Sequence, residues 1–185
     1  MHVCCAPCFS HPHEILNHEY DITVFYTNSN IHPHHEYERR FSELNRFAGI
    51  VNIPLIGDDY NPREWFSFTK AYRFMGERSE RCRACFKYRL GRTFSFAKKN
   101  NYQLVGTVLS VSPHKDSLMI NSVGRELSGE YNIPFMESDF KKRNGFAHSM
   151  ELSRRYGFYR QDYCGCIWSR VERKKDSVWN NGSGK

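Results

Sequence analysis

The chain has 185 residues, 39% of them hydrophobic, which is enough to build a core and gives no composition shift that forces a split. Lys and Arg outnumber Asp and Glu by 27 to 20, giving a net charge of +7 and a pI of about 9.1, a balance that favours a polyanionic partner. No basic N-terminal segment leads into an apolar run, and none approaches about 18 residues, so the chain reads as cytoplasmic, with no secretory signal and no membrane span.

Residues 1–175 read as a single domain, with 176–185, ending in "NNGSGK", as a disordered tail. Met1 to Val3 reads as the end of a short strand, and Ala6-Pro7 as the first turn of a helix, where proline is well suited. "DITVFYTNSN" (21–30) is β-branched and aromatic and ends in turn formers, as a buried strand does. In "HPHHEYERRFSELNRFAGI" (32–50), Tyr37, Phe41, Leu44 and Phe47 recur at helical spacing. "NIPLIGDDY" gives a short strand and loop, and "NPREWFSFTKAY" opens on an Asn-Pro helix start. A helix over 82–100, a strand in "NYQLVGTVLSVS", a helix over 116–130, a strand in "IPFMESDF" and a helix over 145–156 complete the pattern. This alternation predicts an α/β fold with a mostly parallel sheet flanked by helices and right-handed crossovers. Ligands of such sheets gather outside the carboxyl ends of the strands, here at Cys4, Asp58-Asp59, Ser110 to His114 and Ser138-Asp139.

Seven cysteines in a reducing compartment point to metal or redox chemistry rather than to a disulfide scaffold. They form three groups: Cys4, Cys5 and Cys8; Cys82 and Cys85 in "CRAC"; Cys164 and Cys166 in "CGC". The CRAC spacing lets one helical turn present two thiolates, and vicinal cysteines at a helix N-terminus meet unpaired N–H groups that favour thiolates. Structural zinc and a 4Fe-4S cluster both use such ligands, and the vicinal pair makes a poor zinc knuckle. A disulfide across Gly165 closes a small strained ring that is easily reduced, which suits a reversible two-electron store; buried thiols or an extra metal site are its rivals. His11, His13 and "HPHH" (32–35) read as capping or packing residues, and Phe66, Phe68, Phe94 and Phe96 as core.

Taken together, "HVCCAPC" (2–8), "NSNIHPHHEYERR" (28–40), "GERSERCRACFKYRL" (76–90), "SVSPHK" (110–115), "ESDFKK" (137–142) and "GFYRQDYCGCIWS" (157–169) resemble the cobalamin-independent epoxyqueuosine reductases of the QueH family. The resemblance implies reduction of the epoxide of epoxyqueuosine in the tRNA anticodon to give queuosine. It implies a 4Fe-4S cluster on Cys4, Cys5, Cys82 and Cys85, with Cys164 and Cys166 as a redox-active disulfide pair. It also implies an adenine-nucleotide hydrolase-like (HUP) fold. The first strand, with three residues before Cys4, is shorter than that pattern.

Removing an epoxide oxygen as water takes two electrons and two protons, whereas one 4Fe-4S cluster passes electrons singly. No Gly-rich fingerprint follows a strand to hold a nicotinamide or flavin, so Cys164 and Cys166 are the candidate second store, reset by a donor such as ferredoxin or flavodoxin. The competing arrangement places an additional iron beside the cluster, with Cys8, Asp59 or Asp139 as ligands. Tyr163, His114 and Asp139 are the candidate acids. Lys115, Lys141, Lys142, Arg143, Arg154, Arg155 and the run 170–175 are the candidate tRNA contacts. The rival class is a zinc-stabilised RNA-binding module without enzymatic activity.

Overall fold

The computed structural model describes residues 1–173; Lys174, Lys175 and the tail assigned to 176–185 lie outside the described residues. Two strands, β1 (Val24–Tyr26) and β2 (Leu55–Gly57), pair in parallel with Val24 opposite Leu55 and Tyr26 opposite Gly57. Single parallel bridges extend this ladder: His2 pairs with both Phe25 and Thr107, and Val105 pairs with Phe135. The resulting spatial order is β2, β1, His2, 105–107, Phe135. Numbered along the chain that order is 3-2-1-4-5, the arrangement of an open doubly wound sheet whose direction of winding reverses beside its first strand.

The helices include α1 (Ala6–Leu16), α2 (His34–Ile50), α3 (Pro62–Thr69), α4 (Glu80–Lys99), α5 (Ser117–Tyr131) and α6 (Gly145–Arg155), and residues 167–173 are helical as well. α1 packs on α2 and α6, and α4 packs on α3 and α5, two groups that suit the opposite faces of a doubly wound sheet. Their starts follow local chemistry. Asn61 Oδ1 accepts from Glu64 N at 3.2 Å to begin α3, and Asp116 Oδ1 accepts from Leu118 N at 2.9 Å to begin α5. Ser79 Oγ accepts from Arg81 N at 3.3 Å, so α4 begins at Glu80, two residues earlier than the spacing predicts. α2 begins at His34 because Pro33 holds the extended cap position before it.

The predicted strands shrink to one to three paired residues, and the reason is polar competition. Beyond Tyr26 the chain is held by side chains: Asn28 Nδ2 donates to Val3 O at 2.8 Å, and Thr27 Oγ1 donates to Asp58 Oδ2 at 2.7 Å. Beyond Thr107, whose Oγ1 accepts from Leu109 N, the chain winds into a single 3₁₀ turn at Leu109–Val111. "IPFMESDF" contributes only the bridge at Phe135. Of the aromatics read as core, Phe94 is fully buried, Phe66 and Phe96 are half-buried, and Phe68 is 50% exposed; Phe68 is on the outer side of α3 while Trp65 takes the buried position. His13 is buried and packs edge-on against Phe9 and Phe47.

Asp58 ties β1, β2 and α4 together. Arg92 Nη2 donates to its Oδ1 at 2.6 Å and Arg92 Nε donates to its Oδ2, beside the Thr27 bond. Burial opposes ionisation of this carboxyl, but the bonds from Arg92 and Thr27 outweigh it and hold Asp58 below the usual carboxylate range. A depressed folded-state value adds stability above the unfolded value of about 3.9 and loses it as pH falls through the folded value. Asp58→Asn is therefore expected to cost about 1–3 kcal/mol at neutral pH. The gap between variant and parent should narrow as pH falls below the unfolded value of about 3.9. Denaturant unfolding at neutral pH and below that value measures it; an equal deficit at both would contradict the linkage.

Candidate redox site

The first cysteine group sits where the central strand ends and α1 begins. Cys5 is the extended residue before α1, and Cys8 lies in its first turn. The Cys4 and Cys5 sulfurs are 3.8 Å apart, and all three sulfurs lie within 4.8 Å of one another, buried from solvent. Hydrogen bonds from Cys5 and Cys8 hold Cys4 well below the usual thiol range, aided by the Lys115 and Arg89 charges against burial. Its partners move the other way: Cys5, donating to Cys4, is pushed up to about 11, and Cys8 is raised as well. Gln161 Nε2 donates to Cys5 Sγ at 3.1 Å.

The second group occupies the start of α4. Burial pushes Cys82 up to about 11, with the Cys164 and Cys85 sulfurs adding to the effect. Cys85 is buried, and its sulfur accepts from Trp65 Nε1 at 3.3 Å. Burial raises Cys85 too, while Arg89, one turn further along α4, opposes that rise.

The third group is a clamped loop. Gly165 has φ +111°, and a Cβ there would lie 3.0 Å from both Arg40 Nη1 and Ile31 Cγ1. Arg40 is 2% exposed; its Nη1 donates to Cys164 O at 3.2 Å and its Nη2 to Tyr163 O at 3.3 Å. Its own charge is met by Glu36, whose Oε1 accepts from Arg40 Nε at 2.7 Å. His32 N donates to Gly165 O at 2.8 Å, and the Tyr163 hydroxyl donates to His32 O. The hydrogen bond from Cys166 pulls Cys164 down to about 5, with Lys115 and Arg89 assisting against burial, while Cys166 is raised. All seven cysteines are free thiols, and Cys166 Sγ accepts from Ser169 N at 3.3 Å.

The three groups meet at one cavity of about 290 Å³, whose wall includes Cys8, Cys82 and Cys164 together with Lys115, His114, Tyr163, Arg78 and Arg160. Its position follows from the sheet order. Cys4 leaves the first strand and residues 108–115 leave the fourth, on either side of the point where the winding reverses.

The other residues nominated from sequence divide sharply. Tyr163 and His114 line the cavity; burial pushes the Tyr163 hydroxyl up to about 12, so it stays protonated. Asp59 is exposed on the loop after β2, and Asp139 is ion-paired with Lys141 at 3.2 Å; neither lines the cavity. Lys141 Nζ also donates to Lys115 O and Ser117 Oγ, both at 3.2 Å, whereas Lys142 and Arg143 are exposed on the turn before α6. Arg154 and Arg155 are exposed at the end of α6, outside the cavity wall, and Arg173 is on it. Sequence reasoning missed Arg40, Arg89, Gln161, Arg78 and Arg160. The only local signal for Arg40 was its i, i+4 spacing from Glu36, which a surface ion pair shares.

The clamp makes Gly165→Ala informative. The new Cβ strains the backbone and displaces Arg40, so a loss of about 1–3 kcal/mol is expected, with an altered alkylation rate at Cys164. Thermal unfolding and mass-resolved alkylation measure both, and a variant equal to the parent in each would contradict the clamp.

The chain matches the family model described as Epoxyqueuosine reductase QueH over residues 1–172. It is 38% identical over 190 residues to a protein of that description from Streptococcus pyogenes, covering 96% of this chain and 74% of the relative. It is 33% identical to a relative of the same description from Thermotoga maritima, covering 95% of this chain and 91% of the relative. A third, from Haemophilus influenzae, is 34% identical over all of this chain and 75% of its own length. With the family pattern running from the vicinal cysteines to the clamped CGC loop, the chain belongs to the QueH family of epoxyqueuosine reductases.

Proposed function

We propose that this chain reduces epoxyqueuosine in the tRNA anticodon to queuosine through its own thiols and an iron-sulfur cluster, within a single domain spanning residues 1–175 of a cytoplasmic enzyme. The observation that carries the reading is the meeting of the three cysteine groups, through Cys8, Cys82 and Cys164, on a cavity wall that also presents Arg78, Lys115 and Arg160. Among the described residues no helix is long and apolar enough to cross a membrane.

The donor set suits a 4Fe-4S cluster on Cys4, Cys5, Cys82 and Cys85. Trp65 Nε1 and Gln161 Nε2 donate to sulfurs of this set, and the cations Arg89 and Lys115 face them, the surroundings that stabilise negatively charged sulfur. When bound, such a cluster supplies electrons one at a time. Cys8 is then left for an additional iron, and its sulfur lies within 4.8 Å of those of Cys4 and Cys5. Asp59 has weaker support as a ligand there, being exposed and off the cavity wall.

The electron balance fits the remaining pair. Oxidation of Cys164 and Cys166 to a disulfide releases two electrons and two protons; conversion of the epoxide to an alkene and water consumes two of each. The ring closed across Gly165 is strained and readily reopened by an external donor of the ferredoxin or flavodoxin type. Tyr163, protonated and on the cavity wall, is the favoured acid for the departing oxygen, with His114 second; Asp139 is committed to Lys141. Lys115, Lys141, Lys142 and Arg143, joined by Arg78 and Arg160, position the tRNA through phosphate contacts.

Anaerobically prepared protein should be brown, carry about four irons or more per chain, and remove one oxygen from tRNA-borne epoxyqueuosine, read by mass. A colourless zinc protein that binds tRNA without changing its mass would support the rival binding module instead. Cys164→Ser and Cys166→Ser should each abolish turnover while leaving iron content unchanged; retained activity would remove the pair from the reaction. Binding of tRNA should weaken steeply with salt, and Arg78→Ala and Arg160→Ala should each lower the slope of log K against log salt by about 1. A flat salt response would argue against phosphate contacts.

A further inference from the structure

A second cluster of metal-ligating side chains sits away from the cavity, at the seam between α1 and α6. His11 and Glu14 come from α1 and His148 from α6, and one ligand atom from each lies within 4.8 Å of the others. All three side chains are half-buried. His148 Nε2 is 2.7 Å from Glu14 Oε2, while the His11 ring meets the His148 ring edge-on at 5.2 Å between centroids. An ion pair between His148 and Glu14 accounts for two of these residues. It leaves the third unexplained, because the buried Nδ1 of His11 has no hydrogen-bond partner among the described residues.

We propose that His11, Glu14 and His148 bind a divalent transition-metal ion of the zinc type. Two imidazoles and one carboxylate form a borderline nitrogen and oxygen donor set, distinct from the soft thiolates of the redox site, and water completes such a set. Ligand bonds of about 2.0–2.1 Å in a tetrahedron place donor atoms roughly 3.4 Å apart. The observed separations, 2.7 Å for one pair and no more than 4.8 Å for any, bracket that value, so side-chain adjustment alone suffices. The supports are present too. Glu151 Oε2 lies 3.6 Å from His148 Nδ1, on the side of the ring away from Glu14, as an orienting carboxylate would. At the start of α6 a Cβ on Gly145 would lie 1.9 Å from Phe140 O and 2.8 Å from His11 Nε2, so a glycine there fits against both the turn before α6 and the His11 ring.

The site has a structural consequence. α1 carries Cys8, and α6 supplies Phe146, Ser149 and Met150 to the cavity wall, so an ion across the seam pins the cysteine-bearing helix to the wall of the redox site.

The test is zinc content after equilibrium dialysis of the full chain, compared across variants so that metal on the cysteines cancels. His11→Ala and His148→Ala should each hold about one zinc fewer per chain than the parent, and His18→Ala, at an exposed histidine elsewhere, should hold as many. The unfolding midpoint should rise more with zinc in the parent than in the two site variants. Cadmium-loaded parent should give a resonance in the nitrogen and oxygen ligand region, apart from thiolate-bound cadmium. Equal zinc in parent and both site variants, loss of zinc in His18→Ala, or absence of that resonance overturns the proposal. Should both histidine variants lose their helical circular dichroism, Glu14→Gln, which keeps the side-chain volume, decides in their place: loss of one zinc supports the site and full retention overturns it.

Discussion

A buried guanidinium must be matched by negative charge, and Arg89 is 1% exposed with no carboxylate paired to it among the described residues. Its Nη2 donates to Asn28 Oδ1 at 2.5 Å, and its Nε has no partner. Left uncompensated, a charge in that position costs several kcal/mol. The groups it faces are sulfurs: its charge assists the lowering of Cys4 and Cys164 and opposes the rise that burial gives Cys85. Lys115, on the cavity wall, faces the same groups, with burial working against its charge and the Cys4, Cys164 and Cys8 sulfurs restoring it. The core and the redox site are thus one charge balance, and neutralising the sulfurs would leave Arg89 stranded in the interior and Lys115 unmatched on the cavity wall.

Helix α4 shows how that balance is built from spacing. Cys82, Cys85, Arg89 and Arg92 fall at intervals of three and four, so one stripe of the helix faces inward with thiols at its start and cations further along. The stripe ends in the Arg92–Asp58 pair that fastens the helix to both named strands. The cations therefore stand behind the sulfurs on a rigid element, and their placement is not left to a loop. Asn28 completes the arrangement by joining Arg89 to Val3 O, the carbonyl just before Cys4.

What could be read from the sequence was what short spacing encodes. The helices announced themselves by apolar recurrence and caps, and each cysteine group by adjacency. Strand extents were not legible, because the side chains of Asn28 and Thr107 capture backbone groups and Thr27 binds the Asp58 carboxylate, long-range or local contacts that end the ladder and leave no mark in the spacing. The clamp on the CGC loop was not legible either: Arg40 reaches a carbonyl 124 residues further along the chain, and nothing near it in sequence distinguishes it from a surface arginine. Asp59 and Asp139 were nominated because they follow strands, which places a residue at the correct edge of the sheet without aiming its side chain at the cavity.

Two of the cysteine groups also share a logic of proton placement. In the first, Cys4 takes the negative character while Cys5 and Cys8 hold their protons; in the third, Cys164 takes it and Cys166 holds. Each split arises from hydrogen bonding between neighbouring sulfurs, and the Lys115 and Arg89 charges favour the thiolate at Cys4 and at Cys164. A thiolate beside a thiol is the pairing from which exchange chemistry starts, because one sulfur attacks while its neighbour retains a proton to give.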